Sequence, residues 1–147
     1  PAPMPLVNQE GKQIGQPEQI DHRITRVLPG VGFALDGGEW EVTNNIWLVG
    51  NDREVIVIDA AHDAAPIVEA INGRRVKAIA LTHGHNDHIN AAMALQDVVD
   101  APILLHPDDL MLWQVVYPDS NPDGSLTHGG ILKVASTDIG VIHTPGH

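Results

Sequence analysis

Residues 82–88, Thr-His-Gly-His-Asn-Asp-His, restrict the fold and chemistry of this chain more than any other stretch. They follow an apolar run over 76–81, which predicts a buried strand that ends where the polar loop begins. Neutral imidazole and carboxylate groups are the natural ligands of zinc and similar divalent metals. Three histidines and one aspartate at a strand end therefore predict a metal site. The alternative is a polar loop that is rich in histidine for no chemical reason.

The spacing within this loop predicts how the ligands are shared. His83 and His85 are two residues apart, and in an extended segment such residues point to the same side, so both imidazoles can bind one metal. Asp87 and His88 are adjacent at the predicted start of a helix, where neighbouring side chains diverge by about 100°. We expect them to serve a second ion beside the first. Asp87 is also the predicted catalytic residue, which would hold the attacking hydroxide and transfer its proton.

A second histidine loop, residues 143–147, supplies a candidate third ligand, His147. It follows a predicted strand, and two strands of one sheet can bring their ends together. His83, His85 and His147 with one open position would match the layout of a catalytic zinc site. Such a metal lowers the pKa of bound water to about 7, and a second metal at about 3.5–4 Å would orient the substrate.

Composition narrows the classes of partner and of metal ligand. The chain has 147 residues, enough for one domain, and a net charge of −11 without a basic stripe, which argues against nucleic acid as a partner. It has no cysteine, so a metal would use His, Asp or Glu. No apolar run approaches the ~18 residues that span a bilayer. Since residues 1–6 also lack signal-peptide features, we expect a cytoplasmic protein without a membrane contact.

The order of elements predicts an α/β (α+β) fold with a mixed sheet and flanking helices. Residues 1–20 are predicted to be an extended or flexible lead-in, 21–147 the domain, and 32–38 a loop rich in glycine. The remaining predicted elements are strands at 24–28, 45–49, 54–59, 76–81, 102–105, 131–134 and 138–143, and helices at 63–72, 89–99 and 106–116.

These motifs carry a resemblance to a known family. The loop 82–88 resembles the signature of the metallo-β-lactamase-fold hydrolases, and 143–147 resembles the segment that carries the next metal ligand of that superfamily. Asp59, at the end of a strand, resembles the supporting aspartate of the family, and we predict that it orients a histidine ligand. The strand at 44–48 fits the opening hairpins. The pattern is most similar to the glyoxalase II-like (hydroxyacylglutathione hydrolase-like) branch, which hydrolyses thioesters of small thiols.

The resemblance implies that His83, His85 and His147 bind the first metal and that Asp87 and His88 bind the second. It also implies an αββα sandwich, of which this chain would be the N-terminal half. The family continues with a C-terminal half that supplies a bridging aspartate and a further histidine. We therefore expect a truncated chain whose candidate partner is its own C-terminal fragment. The sequence does not determine the oligomeric state.

The expected function is an enzyme that uses a metal-bound hydroxide to cleave a thioester or related acyl ester. One or two zinc ions are the expected cofactors, with iron or manganese as alternatives. Three other functions stay open, namely a persulfide dioxygenase-like iron enzyme, a β-lactamase of the same fold, and an inactive metal-binding fragment. A serine hydrolase is not expected, because Ser120 and Ser125 have no base pattern nearby.

The other histidines are interpreted as surface or structural residues. His62 could flank the pocket, although a surface loop position is favoured. His106 is interpreted as structural or solvated. His143 could line the site, although a strand-end position in which the backbone satisfies the histidine is favoured. Gly84 is predicted to permit either close packing or a positive φ between two ligands.

Overall fold

A mixed sheet places the site loop at the carboxyl end of one of its inner strands. The computed structural model describes residues 18–21, 23–28, 30–35 and 38–146, so the lead-in over 1–17 and His147 lie outside the described residues. The strands are β1 (Glu18–Asp21), β2 (Ile24–Val27), β3 (Gly30–Leu35), β4 (Gly38–Thr43), β5 (Ile46–Gly50), β6 (Glu54–Ile58), β7 (Arg75–Ala80), β8 (Ile103–Leu105), β9 (Gly124–Ser125), β10 (Ile131–Val134) and β11 (Thr137–Gly140). The helices are α1 (Ala64–Ile71), α2 (Asn86–Ile89), α3 (Ala92–Val99) and α4 (Leu110–Val116), with a 3-10 turn at Pro107–Asp109.

The sheet changes from antiparallel to parallel at β6. Its order is β1-β2-β5-β6-β7-β8-β9, and β6 pairs antiparallel with β5 but parallel with β7. A tight turn joins β5 to β6, where Asn51 Oδ1 accepts from the backbone N–H groups of Arg53 and Glu54. The connection from β6 to β7 instead crosses over through α1. Because parallel strands end at the same edge, Asp59 after β6 and the loop after β7 lie side by side.

Helix α1 begins and ends as its sequence predicts. Asp63 is the N-cap, and its Oδ1 accepts from Ala65 N at 3.0 Å. Asn72 ends the helix in the left-handed conformation, with φ 53°. The apolar residues Ile67 and Ile71 are buried against the sheet, so α1 is the crossover that brings β7 back beside β6.

Helices cover one face of the sheet and a hairpin lies on the other. The first face packs against α1, α3 and α4 in one cluster that includes the fully buried Leu95 and Trp113. The opposite face, which includes Ile56 and Ala80, packs against Val134 of β10. The predicted mixed sheet with flanking helices is confirmed. No helix within the described ranges is long and apolar enough to cross a bilayer.

Several predicted elements differ from the structure. The strand predicted at 138–143 is instead β11, which ends at Gly140. The loop at 32–38 is instead largely strand, because β3 and β4 pair antiparallel in register from Gly30↔Thr43 to Leu35↔Gly38. The predicted helix 89–99 is instead two helices, α2 and α3, with a break at Asn90 and Ala91. The break has a tertiary cause, since the loop that follows β6 bonds to this point: Ala91 N donates to Ala60 O, and Asn90 Oδ1 accepts from His62 N. Glu18 to Ile20 of the predicted lead-in belong to β1.

Candidate metal centre

Asp59 joins the three segments from which the site is built. Its side chain is buried, with 3% of the residue exposed, and its φ of 67° lies in the left-handed region, which aspartate tolerates better than most residues. Oδ1 accepts from Thr82 N at 2.7 Å, and Oδ2 accepts from His88 Nδ1 at 2.8 Å. One carboxylate therefore fixes the end of β6, the start of the loop and helix α2 relative to one another.

The contacts of Asp59 also determine which nitrogens of two histidines face the site. His88 donates from Nδ1 to Asp59, so its Nε2 carries the lone pair. The Thr82 hydroxyl donates to Asp59 and lies 3.1 Å from His83 Nδ1, whose proton it can accept. The hydrogen bond to Asp59 raises the pKa of His88, although burial lowers it. Asp59 thus orients His88 directly and His83 through Thr82.

Asp87 is a carboxylate held in the charged form. Burial favours its neutral form, but the hydrogen bond from Asn44 and the nearby charge of His88 outweigh this and lower the pKa of Asp87. Asn44 Nδ2 donates to Asp87 Oδ2 at 3.0 Å, and the same oxygen lies 3.7 Å from His88 Nε2. The side chain therefore offers a negative oxygen beside His88 Nε2, and this combination of donor atoms suits a divalent cation.

The structure brings three of the predicted ligands to one point. One ligand atom each of His83, Asp87 and His88 lie within 4.8 Å of one another. The His83 ring is 4.1 Å from the His88 ring and 5.0 Å from the His85 ring, measured between centroids. Imidazole and carboxylate without thiolate fit zinc, iron or manganese. The division of ligands between two ions, and the part assigned to His147, stay predictions.

Gly84 lets the ligand loop pack closely against the segment that precedes α4. Its N–H donates to Asp109 Oδ2 at 3.0 Å. A Cβ at this position would lie 2.9 Å from the Asp109 carbonyl oxygen and 2.9 Å from Leu112 Cβ. Close packing is therefore the reason for this glycine, and the alternative of a positive φ is wrong.

Gly84→Ala should lower the free energy of unfolding by about 1–3 kcal/mol. The added methyl group would press against the Asp109 carbonyl oxygen and Leu112 Cβ, so the ligand loop would have to move away from them. Urea denaturation of the metal-free protein measures this. Gly140→Ala is the matched control, since a Cβ there meets nothing within 4 Å, and it should change stability by less than about 0.5 kcal/mol. Equal losses in both variants would contradict the packing argument.

Sequence reasoning missed a second set of residues beside the ligands. Asn44 precedes β5, and its Oδ1 accepts from His62 Nε2. The surface interpretation of His62 is wrong, because the residue is half-buried and bonded at both its ring and its backbone. Burial lowers the pKa of His62. The charge of Asp87 opposes this downward shift of the pKa, and the charge of His88 adds to it. Both residues lie at strand ends of the edge that carries Asp59, which is the sequence signal that could have identified them.

Another group of potential ligands has a structural geometry. The rings of His106 and His143 stack at 3.8 Å with an interplanar angle of 8°, and His143 Nε2 lies 3.5 Å from Asp108 Oδ2. Ring lone pairs lie in the ring plane, so those of parallel stacked rings run side by side and do not converge. His106 Nδ1 also already accepts from Asp108 N. The stack therefore joins two chain segments, which fits the structural role predicted for His106. His143 lines the same cavity as His83, so it follows the alternative prediction that it could line the site.

A cavity of about 370 Å³ is lined by Thr82 and His83 of the ligand loop, by His143, and by apolar residues that include Leu132 and Ile139. This volume is in the range of sites for small molecules.

Two relatives show which proteins this chain is similar to. A hydroxyacylglutathione hydrolase of Xanthomonas campestris pv. campestris (strain B100) is 33% identical over 107 residues, which are 71% of this chain and 39% of that protein. An atrochrysone carboxyl ACP thioesterase of Aspergillus chevalieri is 31% identical over 140 residues, 88% of this chain and 40% of that protein. The chain thus spans about two fifths of the length of these relatives.

The fold has solved counterparts. The crystal structure of BJP-1, a subclass B3 metallo-beta-lactamase of Bradyrhizobium japonicum, matches with a TM-score of 0.69 at 18% identity, over 90% of this chain and 53% of that one. The profile of the metallo-beta-lactamase superfamily matches residues 40–147, which include the whole candidate site. The resemblance predicted from the two histidine loops is confirmed, and the chain belongs to the metallo-beta-lactamase superfamily.

Proposed function

We propose that this protein is a metal-dependent hydrolase of thioesters or related acyl esters. The observation that carries the proposal is the cluster of His83, Asp87 and His88, with its ligand atoms within 4.8 Å and a buried carboxylate behind it. The names of two relatives favour the substrate class, since one is a hydroxyacylglutathione hydrolase and the other a thioesterase.

The residues that would hold the metal are His83, His85, Asp87 and His88, with His147 as a further predicted ligand. A divalent ion bound there lowers the pKa of a coordinated water to about 7 and polarises an acyl oxygen. The chain prepares the ligands in advance, because Asp59 holds the His88 ring so that Nε2 faces the cluster. Imidazoles that are already oriented lose less conformational entropy when a metal binds.

The lowered pKa of Asp87 bears on its two predicted roles, which are metal ligation and transfer of a proton from the attacking hydroxide. Its lowered pKa keeps the carboxylate ionised at neutral pH, which suits a metal ligand and an acceptor that orients the attacking water. A general base works best with a pKa near the operating pH, and the shift of Asp87 is in the opposite direction. We therefore assign Asp87 to ligation and to orientation of the nucleophile.

Hydrolysis of a glutathione thioester by the full-length protein tests the proposal. We expect turnover that is lost after complete removal of metal by a chelator and that returns when zinc, manganese or iron is added back. A chromogenic β-lactam and an oxygen electrode should be used in parallel. Thioester turnover that survives metal removal would contradict the proposal, as would cleavage of the β-lactam alone or oxygen consumption with a lone iron.

A further inference from the structure

Asn44 connects the ligand cluster to a loop that holds no ligand. Its Nδ2 donates to Asp87 Oδ2 at 3.0 Å and lies 3.3 Å from His88 Nε2, while its Oδ1 accepts from His62 Nε2. Asn44 and Asp87 are 43 residues apart in the chain. The amide therefore lies between the loop after β6 and helix α2.

The Asp87 carboxylate determines which way the amide faces, and His62 holds the amide from its other side. An asparagine side chain presents a donor on one side and an acceptor on the other. A carboxylate only accepts, so the NH₂ group faces Asp87 and the oxygen faces His62, whose Nε2 then donates to it. Reversing the amide would set its oxygen against a carboxylate and its NH₂ against the His62 N–H, and both contacts would be lost.

His62 is held in an uncommon conformation to make this contact. Its φ is 66°, in the left-handed region that few histidines adopt, and its N–H donates to Asn90 Oδ1. Its Nδ1 is buried and has no hydrogen-bond partner among the residues that the structure describes. Both features oppose folding, and such outliers cluster where function requires them. The conformation of His62 allows its Nε2 to form the hydrogen bond with Asn44.

We propose that His62 and Asn44 act as a pair of positioning residues that set the rotamer of Asp87 and keep its carboxylate directed into the metal cluster. This rests on the proposed function, since it concerns the ligands of the same site. Among the described residues His62 hydrogen-bonds to Asn44 and Asn90, so its hydrogen bonding reaches Asp87 through the Asn44 amide.

Cobalt binding to the full-length protein, followed by visible absorption, tests the pair without relying on catalysis. Asn44→Ala should weaken cobalt binding about tenfold, at the lower end of the 10–100-fold losses typical of residues that support metal ligands. His62→Gly should weaken it several-fold, and it suits the left-handed backbone, so the fold is kept. The double variant should bind no more weakly than Asn44→Ala, because both changes break one chain of contacts.

Two further variants separate positioning from a general structural role. Asn45→Ala is the matched control, since Asn45 is the exposed neighbour of Asn44, and it should bind cobalt like the wild type. His62→Gln keeps an N–H donor for Asn44 Oδ1 and should restore part of the affinity lost in His62→Gly.

The outcomes are distinguishable. If the wild type bound cobalt and Asn44→Ala bound it with the same affinity, the pair would be overturned and the hydrolase proposal would stand. Additive losses in the double variant would have the same consequence. No cobalt binding by the wild type would overturn both.

Discussion

Asp59→Ala should lower the free energy of unfolding of the metal-free protein by about 3–5 kcal/mol. The variant removes the acceptor of Thr82 N–H and of His88 Nδ1–H. Because both donors are only part-buried, the loss of each partner costs about 1–1.5 kcal/mol, the lower part of the usual range. Alanine at a φ of 67° adds roughly 1–2 kcal/mol, because its Cβ approaches the following carbonyl oxygen. Urea denaturation with a fixed m value measures the change.

Two variants divide this loss into its parts. Asp100→Ala is the matched control for the backbone, since Asp100 is exposed and has a φ of 52°, so only the conformational part should appear, at about 1–2 kcal/mol. Asp59→Asn keeps an acceptor for Thr82 but turns an amide towards His88, and it should be intermediate. If Asp59→Ala were no less stable than Asp100→Ala, the buried carboxylate would contribute nothing through its hydrogen bonds.

Local chemistry in the sequence predicted the elements that local contacts determine. Asp63 caps α1 through a bond to a residue two positions away, and the turn at Asn51 is built by its own side chain. The strands that carry the site were likewise visible, because residues such as Val57 and Ile79 are buried on a sheet covered on both faces. The break between α2 and α3 was not visible in the sequence, because it depends on hydrogen bonds with Ala60 and His62, about 30 residues earlier.

The same division applies to the site. The ligand candidates His83 to His88 lie within one short loop, so their residue types and spacing alone indicate a metal. Asn44 and His62 are distant in sequence from that loop and belong to residue types that are common in turns, so only their placement at one sheet edge reveals a role. The sequence therefore predicted the candidate ligands and the supporting Asp59, and the fold was needed to show the contacts of Asn44 and His62.

His83→Ala should reduce kcat/KM for a thioester by about 10³-fold or more, because a lost ligand forfeits several kcal/mol of transition-state stabilisation and each 1.36 kcal/mol is a factor of ten. The His83 ring contacts both neighbouring rings, at 4.1 Å to His88 and 5.0 Å to His85, so its loss opens the centre of the cluster. We expect bound metal, measured by elemental analysis, to fall together with activity.

His85→Ala tests whether the two histidines serve one ion. If they share it, as their i, i+2 spacing predicts, both variants should lose the same equivalent of metal, and the double variant should lose no more. His128→Ala is the control, because His128 is exposed and outside the cluster, and it should keep wild-type activity and metal content within about twofold. If each single variant lost one equivalent of metal and the double variant lost two, the two imidazoles would bind different ions. That result would favour the grouping of His83 with Asp87 and His88 that the side-chain geometry already shows.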